Sequence, residues 1–330
     1  MGKRVLVIRF SSIGDIILTS PVVRCLKRQL PGAEVHFLTK KQFEPLLAAN
    51  PHVDKTWLYD GDFSAILPGL KTAGFDFIID LHRNLRSQYI RLRLGVPAAS
   101  FPKLNVRKWM AVRLKADILP QVHIVDRYFR AVRPLSVEND GLGLDFFIPA
   151  GEEVNLLSLP EIFRDGFVAA VIGGRHHTKI FPPDKVAAVC SQLNLPVVLL
   201  GGPEDRERGE AIAGMTGGRA LNACGRYTFN QSASLVRQAR AVLTNDTGLM
   251  HVAAAFRKPV ASVWGNTVPA FGMYPYMPGD DSFRSLMAEV EGLSCRPCSK
   301  LGYDACPKGH FRCMMDIDTE IIADFLNRKS

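Results

Sequence analysis

Arg4-Val5-Leu6-Val7-Ile8-Arg9-Phe10-Ser11-Ser12-Ile13-Gly14-Asp15 reads as a short strand, a tight turn and the start of a helix. The strand is apolar at successive rather than alternate positions, the pattern of a strand covered on both faces in a parallel sheet. Apolar residues then recur at helical spacing from residue 13 to 29, until Pro31-Gly32 ends the run. The same alternation continues outward, with strands predicted at 34–38, 56–59 and 75–81 and helices at 42–49 and 63–73. It breaks over 135–151, where Glu138-Asn139-Asp140-Gly141 and Pro149-Ala150-Gly151 read as a tether. Beyond the tether, strands at 167–172, 196–200, 241–244 and 259–263 alternate with helices at 184–193, 205–215, 230–239 and 249–256. Two doubly wound α/β domains follow, 1–150 and 151–330, which suits a chain of 330 residues.

The net charge of +9 favours anionic partners: nucleic acid, an anionic membrane face or phosphorylated ligands, among which the sign alone does not choose. Positive charge is densest over 83–93 and 103–115. No apolar run is long enough to span a bilayer, and the N-terminus has no small-residue cleavage site, so a cytoplasmic placement is expected.

Ligands of open parallel sheets collect where strand ends feed helix N-termini. The turn after the first strand puts Gly14 and Asp15 at such a place, although Ser11, Ser12 and Asp15 would equally serve as helix caps. Gly173-Gly174-Arg175-His176-His177-Thr178-Lys179 sets four potential cations around two glycines, suited to a diphosphate. Asp246, Thr247 and Gly248 place a carboxylate, a hydroxyl and free amides at one helix mouth, with His251 a turn inside. Asp205, beside Glu204, stands where a ribose often binds in this architecture. His82-Arg83-Asn84-Leu85-Arg86-Ser87 follows an apolar strand, and Arg83 and Arg86 suit carboxylates and phosphates. Neither a dinucleotide glycine fingerprint nor a P-loop is present.

In order and spacing these motifs resemble glycosyltransferase family 9, the ADP-heptose:lipopolysaccharide heptosyltransferases. The likeness runs from Val5 to Pro21, through residues 80–87 and Leu199-Leu200-Gly201-Gly202-Pro203, to Asp246 and the helix behind it. It implies the GT-B fold: two Rossmann-like doubly wound parallel-sheet domains facing a cleft, acceptor on the first and nucleotide-sugar on the second, with a last helix able to pack back on the first. It also implies inverting transfer of heptose from ADP-heptose, with no cofactor required, to a lipid-anchored core saccharide at the cytoplasmic face of the inner membrane, without nucleic acid as a partner. By position, Asp15 is the general base. Lys179 and Thr178 meet the donor phosphates, Asp246 the sugar hydroxyls, Thr247 and Gly248 the diphosphate, and Asp205 the ribose, while His251 supports the turn. Ser12, Gly14, Arg83, Asn84 and Arg86 fall on the acceptor side.

Cys295, Cys298, Cys306 and Cys313 have the density of a structural zinc site, with free thiols or partial disulfides, and a redox role, as the competing readings. Two other functions share these features: a nucleotide-dependent oxidoreductase, which the missing glycine fingerprint disfavours, and a non-catalytic zinc protein that binds polyanions.

Overall fold

The computed structural model describes residues 2–279 and 284–329. They form two compact units, Met1–Lys103 with Val122–Pro149, and Leu104–Gln121 with Ala150–Ser330.

The first unit is built on β1 (Arg4–Ile8), β2 (Glu34–Lys40), β3 (Lys55–Tyr59), β4 (Phe77–Asp80) and β5 (Ala98–Ser100). All pairings are parallel, in the order β3-β2-β1-β4-β5, with Ile8 in register with Leu38 on one side and Asp80 on the other. Val5, Leu6, Val7 and Ile8 are wholly buried, as their unbroken apolar run requires. The helix expected over 13–29 is two helices, α1 (Ile13–Ile17) and α2 (Ser20–Gln29), because Pro21 has no amide to donate back along a continuous helix and instead sits in the first turn of a new one. The helix expected over 42–49 is a 3-10 turn, Lys41–Leu46, with Pro45 inside it. The remaining helices of this unit are α3 (Phe63–Thr72), α4 (Leu85–Leu94) and α6 (Ile124–Phe129); α5 (Asn105–Arg113) lies in the second unit.

In the second unit β6 (Val168–Val171), β7 (Val197–Leu200), β8 (Ala220–Asn222), β9 (Ala241–Asn245), β10 (Val260–Trp264) and β11 (Ser285–Glu289) form another parallel sheet, ordered β11-β10-β9-β6-β7-β8. Its helices are α7 (Pro183–Gln192), α8 (Arg206–Met215), α9 (Phe229–Gln238), α10 (Gly248–Ala255), α11 (Arg312–Met315) and α12 (Thr319–Lys329). The last helix, α12, packs against α7, and its Ile322, Ala323 and Leu326 join the core of this same unit. Residues 104–121 are attached here by Lys115, which donates to the carbonyls of Cys295 (3.0 Å) and Pro297 (2.8 Å), and by Lys300, which donates to that of Asn105 (3.2 Å). Among the described residues no helix is long and apolar enough to cross a membrane.

The stretch Glu138-Asn139-Asp140-Gly141 is pinned rather than loose. Arg24 of α2, 2% exposed, holds Asp140 through two bonds of 2.7 and 2.8 Å, donates to the Gly143 carbonyl at 2.9 Å and pairs with Asp145. These bonds, opposed by burial, hold the Asp140 carboxyl at about 2. Removing one member of such a buried network strands the other charges, a loss of roughly 3 kcal/mol. Arg24→Met should therefore unfold at lower denaturant by that margin. Because the Asp140 pKa is depressed on folding, its contribution is present above the ordinary value of 3.8 and is lost as pH falls towards about 2. That segment of the acid-unfolding curve should flatten in the variant.

Candidate active site

From β1 the first sheet runs out through β2 to β3, and then the chain returns to place β4 on the far side of β1. Loops leaving β1 and β4 therefore diverge and leave a crevice at the strands' carboxyl ends. Arg9 lies at that point, 7% exposed. Its guanidinium donates to the Ser11 carbonyl at 2.8 Å and to the Leu81 carbonyl, joining the two loops, and pairs with Asp15 at 2.6 Å. Its charged plane also lies 5.9 Å over the ring of Tyr128 from α6. Asp15 accepts a second set of bonds from Ser12, backbone at 3.2 Å and hydroxyl at 2.8 Å. Burial would push the Asp15 carboxyl up, but the Arg9 charge and the Ser12 bonds outweigh it and hold the pKa below the ordinary value. The result is a carboxylate that stays ionised while a fifth of its side chain remains open to solvent.

Across the crevice, buried Asp80 at the end of β4 organises the second loop. It accepts from the backbone of His82 (3.0 Å) and Arg83 (2.6 Å) and from the Ser87 hydroxyl (2.8 Å). His82 sets its ring edge-on to Phe10, centroids 5.3 Å apart. Burial, with Arg9 and Lys103 close by, lowers its pKa to about 4, so the imidazole is neutral at physiological pH. Of the expected acceptor residues, Ser12 is engaged with Asp15, and Asn84 caps α4 by accepting from the Ser87 amide at 3.0 Å. Gly14 contributes its carbonyl to the Leu18 amide. Arg83 donates to the Phe101 carbonyl at 3.1 Å, and Arg86 is exposed.

The second sheet repeats the reversal: β6 leads to β7 and β8, and β9 returns beside β6. The loops after β6 and β9 meet through Lys179, whose ammonium pairs with Asp246. Asp246 also accepts from Thr267 at 3.2 Å. Buried Asn245 clamps both loops, donating to the Gly173 carbonyl and accepting from the Phe181 amide, each at 3.0 Å. Thr247 is the N-cap of α10, so the amides at Gly248 and beyond open onto the Lys179–Asp246 pair. This geometry can hold an anion between a cation and a helix mouth. His251 is buried within α10, beneath this turn.

Other expected donor residues face inward. Thr178, 1% exposed, exchanges hydrogen bonds with the backbone of Tyr303 (3.1 and 2.8 Å) and so braces the Lys179 loop. Asp205 is bound by the Gly202 amide at 2.9 Å and by Arg208, and a Cβ at Gly173 or Gly201 would strike its carboxylate. His176 packs on Gly302, exposed His177 stacks on Phe311 with centroids 5.4 Å apart, Arg175 is exposed, and Lys179 is half-buried. Cys313 lies in the hydrophobic core, Cys298 donates to the Cys295 carbonyl at 3.1 Å, and all four late cysteines are free thiols. Among the described residues no three His, Cys, Asp or Glu side chains gather as metal ligands. The structure does not confirm the zinc site that their spacing suggested, and Cys295 Sγ lies 3.9 Å from His310 Nε2.

The sequence reading passed over Arg9, Asp80, Asn245 and Thr267. Each of the first three is a polar residue at or just past the carboxyl end of a largely apolar strand, and that interruption is the signal that marks it.

The sequence profile of glycosyltransferase family 9 (heptosyltransferase) matches residues 64–295. The chain is 26% identical to lipopolysaccharide heptosyltransferase 1 of Pseudomonas aeruginosa, over 96% of this chain and 92% of that one. It is 24% identical to lipooligosaccharide heptosyltransferase 2 of Haemophilus influenzae, over 98% of each. Among solved structures, E. coli ADP-heptose lipopolysaccharide heptosyltransferase II matches with a TM-score of 0.74 at 21% identity over 98% of both chains. A family 9 glycosyltransferase from Veillonella parvula matches at 0.76 and 22%, covering 99% of this chain and 98% of its own. These likenesses establish a GT-B fold of two parallel-sheet α/β domains. With more than half of its length matched by the family profile, the chain belongs to glycosyltransferase family 9, the heptosyltransferases.

Proposed function

We propose that this protein transfers heptose from ADP-heptose to a lipopolysaccharide core acceptor with inversion and without a catalytic metal, acting from the cytoplasm on a lipid-anchored saccharide at the anionic face of the inner membrane. In this reading the first unit holds the acceptor and the second unit the donor. The observation that carries it is Asp15, an ionised and partly open carboxylate at the β1–β4 switch point.

A sugar hydroxyl is too weak an acid to attack unaided, so its proton must leave as the new bond to the anomeric carbon forms. Asp15 takes that proton. Arg9 keeps the carboxylate charged but makes it a weaker base, so transfer occurs late, when the attacking oxygen has become acidic through bonding to carbon. On the donor side the departing diphosphate gathers negative charge. Lys179 and the amides at the start of α10 oppose it, and Asp246, released from Lys179 as the phosphate takes its place, accepts from sugar hydroxyls. Thr247, Gly248 and His251 form and support that turn, Thr178 holds the Lys179 loop, and Asp205 shapes the floor beside Gly173 and Gly201. On the acceptor side Arg83 and Arg86 meet carboxylates or phosphates, and Ser12, Gly14 and Asn84 set the loops that present them. The Cys295 to Cys313 segment enters no step, and Tyr303 within it acts through Thr178.

Asp15→Asn should lower turnover by about a hundredfold or more while leaving ADP affinity unchanged, as measured by initial rates and titration calorimetry. Near-normal turnover would return Asp15 to the role of a helix cap. The acid limb of kcat against pH should lie below the usual carboxylate range. Arg9→Met removes the charge that opposes burial, so the limb should move to higher pH; a limb that stays in place would sink the coupling. On the donor side, ADP should raise the melting temperature more than UDP or GDP, and Lys179→Ala should weaken ADP binding without lowering the melting temperature of the free protein. Equal stabilisation by the three nucleotides would remove the case for an adenine donor.

A further inference from the structure

The outward face of α4 has an unusual composition for a helix in water. Its inner face is formed by buried Ser87 and Ile90 and half-buried Leu94. Leu85 and Leu92 point away from that core, 84% and 82% exposed, with Tyr89 at 37%. Spaced i, i+4 and i+7, the three form one stripe. Arg86 and Arg93 flank it, and the Arg93 guanidinium lies 5.4 Å from the centre of the Tyr89 ring. No Asp or Glu occurs from Leu85 to Leu94. The pattern recurs independently on α5, where Val106 and Trp109 are 71% and 51% exposed beside Arg107 and Arg113, again without a carboxylate in the helix.

We propose that the outward face of α4, Leu85, Tyr89 and Leu92 with Arg86 and Arg93, docks on the surface of an anionic lipid bilayer. Each part suits that boundary: leucines enter the edge of the acyl region, a tyrosine settles at headgroup level, and arginines meet lipid phosphates. The missing carboxylates select this occupant over an uncharged apolar partner, because every charge on the stripe favours an anionic surface and none opposes it. Docking also serves the proposed transferase activity, and this consequence rests on that reading. Asn84 is the N-cap of α4, so docking the helix brings the His82–Arg86 loop to the headgroup level from which a lipid-anchored acceptor extends.

The test is cosedimentation of the full-length protein with vesicles of phosphatidylglycerol and phosphatidylcholine, against vesicles of phosphatidylcholine alone. The protein should bind the anionic vesicles at least about tenfold more strongly. Leu85→Gln combined with Leu92→Gln should lose about tenfold of that binding with an unchanged melting temperature. Leu92→Gln combined with Arg93→Gln should bind vesicles less well yet keep its transfer rate on a water-soluble acceptor fragment. That rate fails only if the transferase reading fails, so the two are separable. Failure of the protein to bind anionic vesicles, equal binding to both vesicle types, or undiminished binding by the double leucine variant would overturn the proposal. So would a concentration-dependent dimer abolished by the leucine substitutions, which would assign the stripe to a second copy of the chain.

Discussion

Parallel strands joined by helical crossovers can be laid down in only one direction at a time, and the consequential event in each unit is the return of the chain to the far side of its first strand. At that return two loops diverge, and strand-end carbonyls and helix-start amides face a gap that no secondary structure fills. The molecule treats both gaps alike. A cation, Arg9 in one and Lys179 in the other, bridges the two loops and is neutralised by a carboxylate from a helix start, Asp15 or from the turn before one, Asp246.

The two pairs nevertheless differ in consequence. Arg9 is nearly inaccessible and carries the structural bonds to the Ser11 and Leu81 carbonyls, so it cannot leave Asp15 without opening both loops. Lys179 makes its ion pair with Asp246, and Asp246 retains Thr267 as a second partner. In the proposed reaction an arriving phosphate replaces a carboxylate as the partner of Lys179, whereas the Arg9–Asp15 pair persists. In that proposal the permanent partner tunes a base, while the exchangeable one makes a binding site.

Polar residues that look alike in a motif divide by what they face. Asp205 and Thr178 are turned into the fold, where they hold the backbone of the loops that carry Lys179 and its glycines. Between α11 and α12, Ile317 is in the core, Asp316 pairs with Arg312 at 2.7 Å, and Asp318 accepts from the Glu320 amide at 2.9 Å.

What the sequence determined by itself was local. Unbroken apolar runs marked β1, β6, β7 and β10, helical periodicity marked α3, α7, α8, α9 and α10, and their alternation implied parallel sheets, because burial on one face or two leaves a period that can be read from neighbouring residues. The same reading placed Asp15, Lys179 and Asp246 on strand-end turns. It passed over β5, β8 and β11, short or half-exposed strands whose few residues carry no distinct period. Partnership was decided only in three dimensions: Arg9 meets Leu81 across 72 residues, Lys179 meets Asp246 across 67, and Thr178 meets Tyr303 across 125. Whether a cap-like carboxylate is also a charged group at a crevice depends on which strand lies beside its own, and strand order is set by the packing of whole crossovers rather than by any local pattern.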